Sequence, residues 1–265
     1  MGLQTLDRAV GLLRLLGSKG EAGLRLVDVQ SAMQLTKPTA HRLLTELARH
    51  GLVAHDPVRH RYRLGQELAV LGWSVVDRQQ DLRTTAMHSA AMLAEETGDT
   101  VFVVARSGVE TVCIDRHTGA YPIKALTIDV GTRRPLGVGA GGLAILATLP
   151  DVQASAILEV VGERLPEHCR ATLAQVRQVV AEARSRGFAI SNGFVNPDVR
   201  AVGVSIRDFR DDPIAAIGVA AIHARLPHRR IASIARSLSR ERNRIEARLR
   251  SGEHRATAAR SSRQR

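Results

Sequence analysis

At 265 residues, with 44% hydrophobic but only 3% aromatic side chains, the chain can bury one large core or two ordinary ones, built from Leu, Val, Ile and Ala. No apolar run approaches the roughly 18 residues needed to cross a bilayer, and two cysteines, Cys113 and Cys169, exclude a disulfide framework or a four-cysteine zinc site. The net charge of +12 sits at the ends: residues 1–66 carry 10 basic against 5 acidic side chains, residues 67–227 carry 16 against 18, and residues 228–265 carry 12 against 3.

A neutral body with basic ends points to an anionic partner such as nucleic acid. The opening stretch, MGLQTLDRAVGLLRLLGSKGE, has neither the basic leader nor the cleavage site of a signal peptide, so a cytoplasmic protein is expected.

In chain order, Leu6, Val10 and Leu13, widened by Ala9, Leu12 and Leu16, predict a helix that Gly17-Ser18-Lys19-Gly20 ends. Leu26, Val29 and Met33 predict a second. A third opens at Thr36 as N-cap, with Pro38 in the first turn, an apolar face of Ala40, Leu43, Leu44 and Leu47, and Gly51 closing it. Leu52–His55 and Arg61–Leu64, around Asp56-Pro57-Val58-Arg59-His60, read as a hairpin. Three helices and a hairpin over residues 1–66 are the arrangement of a winged helix-turn-helix.

Helical spacing resumes at Leu68, Leu71 and Val75 and continues through Leu82, Ala86 and Leu93 to Thr97-Gly98. Residues 67–80 are expected to be an interdomain and dimerisation helix. Residues 81–250 then mix strands and helices without strict alternation, which predicts an α+β domain. The expected strands cover Val101–Ala105, Thr111–Asp115, Ile123–Ile128, Phe188–Ile190, Val202–Ile206 and Ile214–Ile222. Helices are expected from the glycine-rich run Gly137–Gly142 to Pro150, at Val152–Val161, at Leu173–Arg186, and from Pro227 to about Leu249. Residues 251–265 read as a basic disordered tail.

The third helix carries the sharpest chemistry. Lys37, Pro38, Thr39, His41, Arg42 and Thr45, with Arg49 beyond them, stand opposite its leucine face, and the hairpin adds Arg59, Arg61 and Arg63 with His60 and Tyr62. A solvated charge is the ordinary account of any one of these residues. The whole set at this spacing fits a helix in the major groove and a wing against phosphate or the minor groove. The run Gly137-Val138-Gly139-Ala140-Gly141-Gly142 formally matches a dinucleotide-binding turn. The motif needs a buried strand before it and an acidic residue on a second strand. Thr132-Arg133-Arg134-Pro135-Leu136 cannot be that strand, and Glu159 lies in a helical pattern. A glycine-rich helix start still lets an anion approach backbone N–H groups, although a tight packing corner would use the same residues.

Leu6-Asp7-Arg8-Ala9-Val10, Thr36–Leu44 and Arg61-Tyr62-Arg63-Leu64-Gly65 resemble the DNA-binding domain of IclR-family regulators. The resemblance continues through Ala94–Val101, Gly131-Thr132-Arg133-Arg134-Pro135-Leu136, Arg186-Gly187-Phe188-Ala189 and Ile217–Ala221, so it covers about residues 5–250. It implies a GAF-like C-terminal sensor domain, dimers or tetramers on a double-stranded operator, and a small effector, often an organic or aromatic acid. Carried over residue by residue, it implies effector contacts at Leu126, Ala140, Gly141, Ser191, Asn192, Val199 and Ala201. The chain departs from the family there: Gly137, Gly139 and Gly142-Leu143 replace a turn with His, Ser/Thr and Gly-Lys, and Ser191–Asn196 replaces an acidic run.

An enzyme would need a nucleophile with a base, paired carboxylates or a metal cluster in one pocket. The ten histidines are scattered, and neither cysteine is marked as activated, so no cofactor or metal is expected. A purely structural DNA-binding protein would not need the second domain. The expectation is an effector-responsive transcription regulator.

Overall fold

The computed structural model describes the backbone of residues 2–263, and the side chains of these residues apart from 2–3, 73–81 and 252–263. Two compact units divide it, Met1–Asp77 and Arg78–Arg265. The division falls inside helix α4 (Glu67–Thr97), within the stretch 67–80 expected to link two domains.

In the first unit, α1 (Gly2–Gly17), α2 (Leu26–Met33) and α3 (Lys37–Arg49) enclose Leu12, Leu16, Val29, Ala40, Leu44 and Leu47, with Val53 from the hairpin. The burial of α1 is centred on Leu12 and Leu16, both fully buried, while Leu6 is 60% exposed. The Leu6-Val10-Leu13 stripe read from the sequence is therefore the outer flank of the apolar arc. Strands β1 (Val53–Asp56) and β2 (Arg61–Leu64) pair antiparallel from Val53↔Leu64 to Asp56↔Arg61. Leu24 adds an antiparallel bridge to Tyr62, with backbone bonds of 2.9 and 2.7 Å.

The second unit is built on a six-stranded antiparallel sheet in the order β5-β4-β3-β8-β7-β6. Its strands are β3 (Thr100–Ser107), β4 (Glu110–Thr118), β5 (Arg133–Pro135), β6 (Ala189–Asn192), β7 (Val199–Arg207) and β8 (Pro213–Ile222). Side chains alternate between faces along a strand. Val101 and Val103, Val202, Val204 and Ile206, and Ile217 and Val219 all fall on one face, under α4 and α9 (His228–Arg263). Phe102, Val104, Ala216 and Ala220 fall on the other, beneath α5 (Gly139–Thr148), α6 (Asp151–Val161), α7 (Leu165–His168) and α8 (Leu173–Arg186). That second face is mostly small. A Cβ on Gly203 would lie 2.8 Å from the Ala140 carbonyl oxygen, so α5 can approach β7 this closely only because residue 203 has no side chain. Arg184 of α8 closes the far end of α5, donating to the carbonyls of Ala147 (3.1 Å) and Leu149 (2.8 Å) and pairing with Asp151.

Two expectations are corrected. Ile123–Ile128 is no strand: the edge of β4 is held by Arg133–Pro135, where Arg133 bonds Glu110 at 3.0 Å. Only Ala125 of the expected strand is well buried, and Ile123 and Leu126 are more than half exposed. Residues 251–263, expected to belong to a basic disordered tail, are helical and continue α9 as far as Arg263.

The junctions of the sheet with its two outer helices meet at Asp99, which is 4% exposed. Arg225 Nε reaches one carboxylate oxygen at 3.1 Å and Arg230 Nη1 the other at 2.6 Å; both guanidinium groups also donate to the Thr97 carbonyl at the end of α4. Removing the carboxylate leaves two arginines facing each other with a carbonyl between them. Asp99→Ala is expected to lower folding stability by about 3–5 kcal/mol in chemical denaturation, the cost of breaking a buried pair from one side. A loss under about 1 kcal/mol would show that solvent takes the carboxylate's place.

Candidate nucleic-acid interface and ligand cavity

Helices α2 and α3 are joined through Gln34, whose left-handed φ of 52° reverses the chain, and Leu35 N–H closes the turn on the Gln30 carbonyl at 3.1 Å. Thr36 takes the N-cap position, but its hydroxyl pairs with that of Thr39 at 2.9 Å instead of capping the backbone. Because α3 buries Ala40, Leu44 and Leu47, its 3.6-residue repeat turns Lys37, Pro38, His41, Arg42 and Thr45 outward. All five are exposed, and Thr39 is half-buried beside them. Arg49, further along the ridge, is paired with Glu46 at 3.0 Å.

At the hairpin, the Asp56 carboxylate accepts the N–H groups of Arg59 and Val58, each at 3.0 Å. Those bonds, the one from Arg59 foremost, hold its pKa below the usual carboxylate value and shape the turn that exposes Arg59. His55 and Tyr62 stack with ring centres 4.5 Å apart. The three hairpin arginines differ. Arg59 stands exposed at the tip, Arg63 is exposed 3.7 Å from Glu21, and Arg61 is turned back, donating to the carbonyls of Ala22 and Gly23 at 3.1 Å each. The sequence placed all three on the wing; it could not show that one clamps the wing to the preceding turn.

In the second unit a cavity of about 80 Å³ lies over the small-residue face of the sheet. A cavity needs only ~10–15 Å³ to admit one water, so this one has room for a small organic molecule. Arg134 of β5 and Ser191 of β6 both line it, although they come from opposite edges of the sheet. Flat, the five strand spacings between those edges would hold them roughly 24 Å apart; the sheet must curl around the cavity. Phe102, Val104, Val138 and Val199 supply apolar wall, Thr111, Thr132 and Asn196 polar wall, and Gly139–Gly142 the start of α5.

Of the residues the resemblance implies for an effector, the structure brings Ala140, Gly141, Ser191, Val199 and Ala201 together here, while Leu126 and Asn192 lie outside. Ser191 and Asn192 are neighbours on a strand, so only one can face the cavity; the Asn192 amide oxygen instead accepts from Arg200 Nε at 2.9 Å. Leu126 is 55% exposed on a connection that does not form the expected strand. Arg134, Thr111 and Asn196 are lining residues that sequence reasoning missed. Arg134 lies in the run Gly131–Leu136 that carries part of the family resemblance, but its facing depends on the strand register. Gly141 serves packing as well as lining: a Cβ there would come within 2.7 Å of Val104 Cγ2.

Cys113 is buried, and that burial pushes its pKa up to about 11; Cys169 is buried 3.8 Å from the Ala171 carbonyl. Among the described residues no group of His, Cys, Asp and Glu is placed to hold a metal ion, and no helix is long and apolar enough to cross a membrane.

A helix-turn-helix with an exposed polar ridge, followed by an α+β domain enclosing a ligand-sized cavity, defines a DNA-binding transcription regulator. Residues 5–57 match the model of the IclR helix-turn-helix domain, and residues 74–246 match that of the bacterial transcriptional regulator IclR C-terminal domain. The chain belongs to the IclR family. It is 28% identical over 239 residues to the HTH-type transcriptional regulator XynR of Escherichia coli strain K12, covering 89% of this chain and 93% of that one. With the glycerol operon regulatory protein of Streptomyces griseus it shares 32% over 219 residues, or 82% of this chain and 84% of the relative. A putative IclR regulator from Silicibacter sp. TM1040 has the same fold, with a TM-score of 0.73 over 92% of this chain and 96% of its own at 23% identity. An IclR homologue from Microbacterium hydrocarbonoxydans, solved with 4-hydroxybenzoate, superposes with a TM-score of 0.69 at 20% identity, over 93% of this chain and 99% of its own.

The exposed ridge and the turned-back arginine separate two kinds of variant. Arg42→Ala is expected to weaken operator binding by about 1–3 kcal/mol with unchanged folding stability. Arg61→Ala is expected to lower the melting temperature of the N-terminal unit, because two carbonyls lose their donor. Fluorescence-anisotropy titrations alongside thermal melts check both; the reverse pattern would exchange the two roles.

Proposed function

We propose that the chain regulates transcription by binding a pseudo-palindromic operator as a dimer or tetramer, and that a small organic acid in the cavity over the sheet changes its operator affinity. Lys37, Pro38, Thr39, His41, Arg42 and Thr45 read or position the major groove, while Arg59 and Arg63 meet the backbone from the wing and Arg61 holds the wing in place. Ala140, Gly141, Ser191, Val199 and Ala201 form part of the effector wall. Chemistry on the ligand is no part of this reading, and the protein acts in the cytoplasm, where its DNA is.

The observation that carries the reading is the cavity of about 80 Å³ in a unit that does not contain the DNA-reading helix. The complex of the Microbacterium homologue with 4-hydroxybenzoate supports an acid as occupant. Exposed Leu6 on α1 and Val70 on α4, 60% and 45% accessible, support a second copy as their cover. Leu68 is half-buried and Leu71 is 55% exposed on the same helix; Val75 lies outside the residues whose side chains are described.

A ligand shifts operator affinity only by its difference in affinity for two arrangements of the protein, typically about 1–3 kcal/mol. Because residue 141 packs against Val104, the cavity is better filled from its floor, with Ala201→Leu. That variant is expected to keep operator affinity without ligand and to lose the response to any acid that shifts the wild type in paired operator titrations. Light scattering is expected to give a dimer or tetramer. A ligand response that survives Ala201→Leu in folded protein would move the effector site elsewhere.

A further inference from the structure

Strand β5 presents consecutive arginines to opposite faces, and their surroundings differ. Arg133 is satisfied: Nε lies 3.0 Å from Glu110 and Nη2 lies 2.6 Å from the Ser107 hydroxyl. Arg134 lines the cavity, half-buried, and donates through Nη2 to the Thr127 carbonyl at 2.8 Å. Among the described residues, no carboxylate lies within ion-pair distance of it. A neutral carbonyl leaves the positive charge uncompensated, and burial draws the guanidinium pKa below the ordinary arginine value. Arginine stays charged nonetheless.

Arg134 is not needed as the tether of the connection it touches. Arg116 already holds that segment through the Ile128 carbonyl at 3.0 Å and through Asp129. The rest of the wall includes the Thr111 hydroxyl, which donates to the Arg134 carbonyl at 3.4 Å, and the Thr132 hydroxyl, which accepts from the Asp129 N–H at 3.1 Å, whereas Phe102, Val104 and Val199 are apolar. An anion that brings its own apolar body fits both halves of this lining. A forked guanidinium takes a carboxylate through two parallel N–H···O bonds, and such charge-assisted bonds are roughly twice as strong as neutral ones.

Resting on the effector reading above, we propose that Arg134 is the anion receptor of the cavity and that the effector class is a monocarboxylate with a compact apolar body, its carboxylate held at the β5 edge. The start of α5 then acts as a close-packed wall for the apolar part, consistent with the absence of side chains at Gly139, Gly141 and Gly142.

The test uses the full-length protein and acids paired with their primary amides: benzoate with benzamide, 4-hydroxybenzoate with 4-hydroxybenzamide, isobutyrate with isobutyramide. Thermal shift and calorimetry are run on the wild type, on Arg134→Gln, which keeps a donor for the Thr127 carbonyl, and on Arg134→Met should Gln fail to fold. At least one acid is expected to raise the melting temperature where its amide does not, and the Arg134 variant is expected to weaken that acid roughly 10- to 100-fold. Amides that bind as well as their acids, a panel in which no acid binds, or an acid whose affinity survives the substitution would each overturn the assignment. Operator titrations separate this inference from the reading beneath it. Neutral amides that bind and move operator affinity would leave an effector cavity without an anion receptor. Arg134-dependent acid binding that leaves operator affinity unmoved would leave the receptor without the regulation.

Discussion

The unequal bulk of the two faces of the central sheet organises the second unit. On one face Val101, Val103, Val202, Val204, Ile206, Ile217 and Val219 stand up as a continuous aliphatic surface, and two long helices, α4 and α9, lie on it. On the other, β7 and β8 present Ala201, Gly203, Ala216, Gly218 and Ala220, none of them with a side chain beyond Cβ. A helix can approach such a surface closely, and α5 does so with its own glycines and alanine against β7 and the Val104 side chain. The space that remains beyond the reach of α5 is the cavity. A side chain at Gly203 would meet the Ala140 carbonyl and lift the helix, whereas a bulkier residue at Ala201 would fill the cavity, so neighbouring positions on one face set packing and ligand lining.

Arginine gives the fold its polar anchors. Arg225 and Arg230 join the end of α4 to the start of α9 through Asp99 and the Thr97 carbonyl; Arg184 closes α5; Arg61 clamps the wing; Arg240 and Arg244 hold the buried Glu241. A planar guanidinium satisfies several carbonyl and carboxylate oxygens at once, which suits a chain with few aromatic hydroxyls or indoles to do so. Much of the basic excess is thus engaged inside the fold. The charge that stays exposed on α3 and at the wing tip is a small part of the total, but its placement suits it to DNA.

The elements read most accurately are those with local stop signals. Helix α8 occupies Leu173–Arg186 as expected because Thr172 and Gln175 form a capping box at its start and Gly187 adopts φ 80° at its end. The recognition helix was legible for the same reason, its apolar period being bounded by Thr36 and Gly51. Ile123–Ile128 had strand-like composition without a partner edge, and Arg133–Pro135, a three-residue strand with a proline, carries no periodic signal of its own. Its pairing is decided by Glu110 on another strand.

What the sequence by itself determined is the order of elements, the winged helix-turn-helix with its exposed ridge, and the α+β class of the domain that follows, because each depends on spacing within about a dozen residues. The facing of Arg134 and Ser191 into one cavity, the exclusion of Asn192 and Leu126 from it, and the diversion of Arg61 from the wing surface were decided by tertiary structure alone. Strand register and sheet curl set the facing of Arg134, Ser191, Asn192 and Arg61 by bringing together residues as far apart in the chain as 22 and 61 or 134 and 191. A one-residue slip of β2, β5 or β6 would turn that strand's own side chains to the opposite face, since neighbours on a strand face opposite ways.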